Sequence, residues 1–287
     1  MKLSHKITYL MLNQIKKFLS SISTNTRFII SNHLASFLYH CMGLRKKQAI
    51  KNMHRSFPSW TQKKILHTLR KTYIFFAYNF IQFLAVPKSW EDINIDVIGE
   101  EILATNLKKG KGVILISGHF GAWEIFGKWL GEYANLFAGI ALRQKNRGAN
   151  QFFYEQRILP GTKQFYKKDG IEKSYELLSK NGILGLISDQ DAKGKGIFVN
   201  FFGTPASTPK GPALFHLNTS APLLVGICVQ KGFNQYEIRF IPIKTESKDI
   251  FEITQEYTNI LENCIKKYPE QYFWFHRRWK TKLKKND

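Results

Sequence analysis

The chain has 287 residues, of which 44% are hydrophobic and 14% aromatic, and this composition excludes a disordered protein. The length suits one sizeable domain with room for a sheet and a covering layer of helices. Forty-three Lys and Arg residues against 21 Asp and Glu leave a net charge of +22, so acidic partners are expected: nucleic acid, an anionic membrane surface, a phosphorylated lipid or an acidic carrier protein.

The cysteines give no framework for disulfides or zinc. Cys41, Cys228 and Cys264 are few, scattered and without a Cys-x-x-Cys pair. A reducing compartment is therefore the plain interpretation.

Residues 1–44 have the pattern of a basic amphipathic region. Apolar side chains recur on one helical face, with lysines elsewhere: Leu3, Ile7, Met11, Ile15 and Phe18. Such a helix can lie in a lipid interface, although an ordinary pair of covering helices would show a similar pattern. No stretch reaches about 18 uninterrupted apolar residues, and no cleavable signal sequence is evident. We therefore expect this region on a membrane surface, on its cytoplasmic side.

A long helix is predicted before the centre of the chain. Ser59 and Gln62 form a capping-box pattern, and the apolar stretch that follows continues to Val86 and stops at Pro87.

The central pattern is a buried strand followed by a turn and a helix. Residues 113–116 are an uninterrupted apolar run, Ser117-Gly118 breaks it, and helical spacing resumes at Ala122. His119 is thus predicted to lie in a strand-to-helix turn, at the sheet edge where ligands bind in α/β proteins. Glu124 falls on the first turn of the helix.

His119 and Glu124 together suit general base chemistry. A carboxylate that accepts from one ring nitrogen leaves the other free to take a proton. A purely structural histidine is the alternative, and a metal site fits less well because no second ligand stands at metal-binding spacing.

Further polar groups follow two other predicted strands. Arg143 and Asn146 come after a strand at 139–142, with Arg157 beyond a helical segment. Asp189 and Asp191 follow a strand at 183–187. The arginines suit phosphate, whereas solvated surface charge and turn capping are the alternatives.

Residues 268–281 combine aromatic and basic side chains. In isolation this composition also permits an interpretation as a surface that stacks and neutralises nucleic acid.

These segments carry a family resemblance. Gly-His-Phe-Gly-Ala-Trp-Glu at 118–124 resembles the His-x4-Asp/Glu signature of glycerolipid and lipid A acyltransferases, and its Glu and Trp are closer to the lipid A branch. The basic block near residue 45, the Arg143 block, Asp-Gln-Asp at 189–191 and Pro-Glu-Gln…His-Arg-Arg-Trp-Lys in 269–280 are similar to further family blocks, in the same order. The resemblance covers about residues 45–281. The family's proline soon after Asn146 is replaced by Arg147-Gly148.

The resemblance implies a fold and a reaction. It implies an α/β domain at 45–287 with a central mixed sheet flanked by helices, glycerolipid acyltransferase-like, preceded by membrane-associating helices at 1–44. The implied reaction moves a fatty acyl chain from an acyl-carrier-protein thioester to a hydroxyl of a Kdo-bearing lipid A precursor, at the cytoplasmic face of the bacterial inner membrane. No metal or organic cofactor is needed.

The resemblance also implies roles for single residues. His119 would be the general base, held by Glu124, and backbone N–H groups near Gly121 are candidates for stabilising the oxyanion. The implied substrate-binding set is Arg143, Asn146, Arg157, Asp189 and Asp191, with Asp189 orienting an arginine.

Two other functions remain open from the sequence. One keeps the chemistry but uses acyl-CoA and a lysophospholipid or glycolipid acceptor. The other is a basic nucleic-acid-binding protein in which His119 is structural; it leaves the ordered blocks unexplained.

Overall fold

The computed structural model describes residues 1–158, 160–166 and 170–283 and shows an α/β architecture. The α-helices in chain order are α1 (Leu3–Ser21), α2 (Thr24–Phe37), α3 (Lys46–Ser56), α4 (Gln62–Leu84), α5 (Glu100–Leu107), α6 (Trp123–Tyr133), α7 (Arg147–Arg157), α8 (Gly170–Ser179), α9 (Gly211–Thr219) and α10 (Ile250–Lys267). The strands are β1 (Asn94–Ile98), β2 (Val113–Ser117), β3 (Phe137–Ala141), β4 (Thr162–Tyr166), β5 (Ile183–Ile187), β6 (Ile197–Phe201), β7 (Thr204–Thr208), β8 (Leu223–Gly232) and β9 (Gln235–Pro242).

The described strands form a mixed central sheet, as predicted. Its order is β1-β9-β8-β2-β5-β3-β4, and every neighbouring pair is parallel except β8 and β9, which form an antiparallel hairpin. A separate antiparallel hairpin consists of β6 and β7. Because β2 and β5 are central neighbours running in the same direction, their carboxyl ends meet at one edge of the sheet.

The centre of the sheet is buried on both faces. All five residues of β2 are buried, so each of its faces is covered by apolar packing. On one side Ile114 and Ile116 join the larger core with Leu184 of β5; on the other side Val113 and Leu115 join a second core. The apolar run in the sequence therefore marks the middle of the sheet.

The strands at both ends of the sheet gave no clear sequence signal. β1 alternates between exposed and half-buried positions, and β4 has no buried residue among its five. The predicted cap of α4 was also two residues too early. Thr61, not Ser59, precedes the helix, and its side chain accepts from the backbone N–H of Lys64 at 3.3 Å.

Helix α1 packs on the body of the protein through one face and exposes the other. Leu12, Ile15 and Leu19 pack against a cluster that includes Phe152 of α7. The opposite face carries large exposed apolar side chains: Leu3, Ile7, Leu10, Met11 and Phe18. Covering helix and exposed amphipathic face are thus two sides of one element. Within the described part of the chain, no helix is long and apolar enough to cross a membrane.

Polar contacts fix α1 on α7. The Tyr9 hydroxyl donates to Glu155 at 2.8 Å, and Lys16 donates to Gln156 at 2.5 Å. The helices approach so closely at Gly148 that a Cβ there would lie 1.8 Å from the carbonyl oxygen of His5. Glycine is required at that position.

The aromatic-basic segment near the carboxyl end runs through the core. Trp274 is fully buried, and Arg278 is almost so. The Asn52 side chain of α3 donates to the carbonyl oxygens of Trp274 and His276, each at 2.7 Å, and Arg45 donates to Phe275 O at 3.2 Å. Arg45, just before α3, and Asn52 within it therefore hold the carboxyl-terminal block in place.

Candidate active site

The turn between β2 and α6 is shaped by two glycines. Gly121 has φ +65°, and a Cβ there would lie 2.0 Å from the carbonyl oxygen of Cys228. A Cβ on Gly118 would touch the Asp189 side chain at 3.3 Å. The turn thus passes close to β8 on one side and to the end of β5 on the other, which places His119 between them.

His119 is paired with Asp189. Its Nδ1–H donates to Asp189 Oδ1 at 2.8 Å. The pair follows from sheet register: Ser117 lies opposite Ile187 on adjacent parallel strands, so the residues two positions further along each chain also meet. Asp189 is buried, whereas the His119 side chain is 29% exposed. The carboxylate fixes the tautomer and leaves Nε2 of His119 as the basic nitrogen.

The Asp189 carboxylate is held ionised in a buried position. Burial alone would raise its pKa, but the charge and hydrogen bonds of His119, with the Arg278 guanidinium beyond, hold the pKa of Asp189 below its usual range. Arg278 is itself fixed by donating to Ser207 O at 2.6 Å and to the Thr208 hydroxyl at 2.5 Å.

The expected pairing of Glu124 with His119 is corrected by this geometry. Glu124 lies on the first turn of α6 and accepts two hydrogen bonds from Arg157, from Nε at 3.0 Å and from Nη2 at 2.6 Å. The Trp123 indole N–H also donates to it at 3.1 Å. Burial opposes the charge on Arg157, yet the Glu124 carboxylate prevails and raises the pKa of that guanidinium. Asp189 likewise contacts His119 rather than orienting an arginine.

Two other predicted binding residues have structural partners. Asn146 caps α7 by accepting from the N–H groups of Gly148 and Ala149, and it donates to the Thr8 hydroxyl of α1 at 2.9 Å. Asp191 accepts from the Thr281 hydroxyl at 2.9 Å, which closes its loop against the carboxyl-terminal block, and from Lys193 N–H at 3.3 Å.

Arg143 lies just beyond β3 at the same sheet edge. It is exposed, and its guanidinium stacks 4.3 Å from the centroid of the Tyr166 ring. The edge therefore carries two arginines, Arg143 stacked on Tyr166 and Arg157 paired with Glu124.

Two backbone amides of the turn are occupied. Gly121 N–H donates to Gln271 O at 2.8 Å, and Ala122 N–H donates to Cys228 O at 2.7 Å. The amides of Gly121 and Ala122 therefore fasten the turn to its neighbours and are not the ones that could stabilise an oxyanion.

Aromatic side chains form one wall beside the His119 ring. Trp123 lies 5.5 Å away and Phe273 6.2 Å away, measured between ring centroids. Phe76 of α4 extends this wall, 5.8 Å from Trp123 and 5.3 Å from Phe273. The histidine is therefore bordered by a surface that suits a long apolar group.

The sequence did not identify Arg278 or Asn52 as supports of the site. Both lie in blocks that carried the family resemblance, but nothing in their spacing shows that one faces Asp189 and the other clamps the backbone. A groove of ≈ 550 Å³ between α2, α4 and the β8–β9 hairpin, with Phe28, Tyr78 and Phe233 among its walls, contains none of the predicted site residues.

Comparison with known families gives a match over nearly the whole chain. Residues 3–281 match the model of the family described as "Bacterial lipid A biosynthesis acyltransferase". A phosphatidylinositol mannoside acyltransferase of Mycolicibacterium smegmatis is 28% identical over 190 residues, which are 64% of this chain and 62% of that protein. The match thus spans less than two thirds of the length of this mycobacterial relative.

Two relatives come from Escherichia coli K12. A lipid A biosynthesis palmitoleoyltransferase is 25% identical over 201 residues, covering 67% of this chain and 65% of the relative. A lipid A biosynthesis lauroyltransferase is 23% identical over 251 residues, covering 84% and 81%. Among solved structures, the 1-acyl-sn-glycerophosphate acyltransferase of Thermotoga maritima gives a TM-score of 0.38 at 13% identity, covering 86% of this chain and 98% of that one.

Proposed function

The chain belongs to the bacterial lipid A biosynthesis acyltransferase family, and from this membership and the His119–Asp189 pair we propose that it is an O-acyltransferase. The pair is the observation that carries the proposal. A half-exposed histidine with one nitrogen fixed by a buried carboxylate is a general base ready to take the proton of an acceptor hydroxyl.

The proposed reaction is direct transfer between two bound substrates. The acceptor oxygen attacks the thioester carbonyl carbon while Nε2 of His119 takes its proton, and Asp189 stabilises the imidazolium. The tetrahedral intermediate then collapses with cleavage of the C–S bond, and the proton passes from His119 to the departing sulfur. An ester and a free thiol result, and His119 returns to its neutral form.

The acceptor is proposed to be a phosphorylated, Kdo-bearing lipid A precursor. Arg157, oriented by Glu124, and Arg143 at the same sheet edge are cationic planar groups of the kind that bind phosphate or sugar acid groups. Asn146 and Asp191 would act by shaping the loops that present them.

The donor is proposed to be an acyl-carrier-protein thioester, whose acidic surface suits a chain of net charge +22. Its acyl chain would lie along the aromatic wall of Trp123, Phe273 and Phe76. The second candidate is an acyl-CoA donor with a glycolipid acceptor, and the acceptor is suggested by a relative named a phosphatidylinositol mannoside acyltransferase.

The buried state of the carboxyl-terminal block speaks against a nucleic-acid-binding role. Tyr272, Trp274 and Trp279 are buried in the core, so they offer no face on which bases could stack.

The exposed face of α1 supports attachment to an anionic membrane surface, on the cytoplasmic side of the inner membrane. Five large apolar side chains on one turn-spaced face, with lysines beside them, fit the headgroup boundary. Because the other face of α1 packs on α7, attachment through the exposed face would bring the sheet edge with Arg157 near the lipid.

The reaction is tested by transfer of a labelled acyl group to a Kdo-bearing lipid A precursor, from acyl-carrier protein and from acyl-CoA in parallel. We expect transfer from the carrier protein and a loss of about 10²–10⁴-fold in His119→Ala. Transfer that survives in His119→Ala would show that His119 is not the general base. Transfer only from acyl-CoA or only to a glycolipid would establish the second candidate.

The membrane proposal is tested by sedimentation with vesicles of anionic phospholipid. Ile7→Ser combined with Met11→Ser should weaken binding. Ile171→Ser, which changes a side chain of similar exposure on α8, should leave it unchanged. Equal binding by all three proteins would contradict attachment through α1.

A further inference from the structure

A second histidine lies beside the proposed dyad. His276 follows a short segment that contacts the His119 turn. In that segment Tyr272 forms an antiparallel bridge with Phe120, and Phe273 N–H donates to His119 O at 2.9 Å. The charges of Asp189 and of His119 both act on the His276 ring, which places it within electrostatic reach of the pair.

The ring nitrogens of His276 have no hydrogen-bond partner in the part of the chain that the structure describes. Its Nδ1 is enclosed and makes no hydrogen bond to the described residues, whereas Nε2 is not one of the enclosed unpartnered atoms. Because Nδ1 is enclosed, Nε2 is the ring nitrogen that can meet a group arriving with substrate.

The backbone holds His276 rigidly. Its carbonyl oxygen accepts from Asn52 Nδ2 at 2.7 Å and from Arg278 N–H at 2.9 Å. These contacts fix the backbone from which the ring projects, which limits the reorganisation that a donor on this side chain needs.

Acyl transfer requires a donor for the oxyanion, and the turn itself does not supply one from Gly121 or Ala122. Their N–H groups are bonded to Gln271 O and Cys228 O. We propose that His276 is a further catalytic residue, whose Nε2–H donates a hydrogen bond to the thioester carbonyl oxygen as it gains negative charge.

The protonation state suits a donor that does not compete with His119 for protons. Burial lowers the pKa of His276, partly offset by Asp189, so the ring is neutral at neutral pH. A neutral imidazole donates one hydrogen bond and releases the oxygen when the tetrahedral intermediate collapses. His119 moves the proton, and His276 keeps its own.

The inference rests on the proposed acyl transfer, and the test compares His276→Ala, His276→Gln and His276→Asn with the wild type. We expect His276→Ala to lose about 10²–10³-fold in kcat with little change in either KM. Gln can place an amide N–H near the position of Nε2 and should recover much of the rate, whereas the shorter Asn should not. Melting temperatures identify any variant that fails to fold.

Three kinetic outcomes would overturn the proposal. They are an unchanged kcat in folded His276→Ala, a rise confined to KM, and a folded Gln variant no faster than Ala.

A binding measurement separates this inference from the identity of the substrates. The probe is a difluoromethylene ketone analogue of an acyl-pantetheine, in which CF2 replaces the thioester sulfur and the hydrate mimics the tetrahedral carbon, with the corresponding thioether as a ground-state control. His276→Ala should weaken binding of the ketone by about 10²–10³-fold and leave binding of the thioether unchanged. If the wild type transfers nothing but shows this difference, the proposed substrates fail and the role of His276 stands; equal weakening of both probes, or no ketone binding by the wild type, overturns it.

Discussion

The two carboxylates at the sheet edge differ in how they reach their partners. Asp189 is buried and meets His119 across adjacent parallel strands, whereas Glu124 is partly exposed and meets Arg157 across two helices. Glu124 is much nearer to His119 in sequence, yet Asp189 holds the imidazole. Strand adjacency, and not spacing along the chain, decides which acid supports the base.

The largest expected effect comes from Asp189→Asn. The amide keeps the shape but can present an N–H to Nδ1 and stabilise the wrong tautomer of His119. We expect acyl transfer to fall by about 10²–10⁴-fold, the range for losing positioned base catalysis. Glu124→Gln is the matched control and should retain more activity; the reverse order would return Glu124 to the role that the sequence predicted.

Arg157→Lys tests the second pair. Lysine keeps the charge but loses the fork that contacts both oxygens of Glu124. We expect kcat/KM to fall roughly 10- to 100-fold, as for one lost charge-assisted hydrogen bond of about 1.5–3 kcal/mol. The change should appear in KM for the acceptor, measured at saturating donor. A fall in kcat alone would place Arg157 in the chemical step.

A double-mutant cycle measures how strongly Glu124 and Arg157 are coupled in the folded protein. Glu124→Gln, Arg157→Gln and the double variant are compared by denaturant unfolding. Because both side chains are partly exposed, we expect a coupling free energy of only about 1 kcal/mol. A much larger value would mean that the Glu124–Arg157 pair contributes to the stability of the fold as a buried ion pair would.

The smallest expected effect is the loss of stability in acid that depends on Asp189. The folded pKa of Asp189 is lowered, so its contribution to stability is fully present above its unfolded pKa, about 3.9, and is lost as pH falls through the folded value. The difference in unfolding free energy between wild type and Asp189→Asn should therefore shrink in acid.

The same comparison in a His119→Ala background gives the control. Burial then dominates and raises the pKa of Asp189, so the Asn variant should become the more stable protein at neutral pH. An unchanged sign would mean that His119 does not hold the carboxylate ionised.

The sequence predicted the parts of this molecule that depend on continuous burial. β2 and β5 are uninterrupted apolar runs, and their polar successors His119 and Asp189 were correctly expected at one edge. β1 and β4 lie at the ends of the sheet with few buried side chains, so no run marked them.

Pairing within the site was harder to predict because it depends on sheet order. The crossover that places β5 beside β2 is a property of the whole chain, so the sequence pointed to the nearer acid, Glu124. Asn146 and Asp191 were read as ligands because amide and carboxylate groups serve equally for binding and capping, and only their partners distinguish the two.

The clamp of Asn52 and Arg45 on the carboxyl-terminal block has a consequence for the order of assembly. During synthesis the central strands emerge well before Arg278, whose charge supports Asp189, and Trp274, which completes the core. Until those residues are synthesised, Asp189 lacks the guanidinium of Arg278, and the core lacks the indole ring of Trp274. The site is therefore finished last, and a chain interrupted shortly before this block should be both inactive and a target for chaperones or proteases.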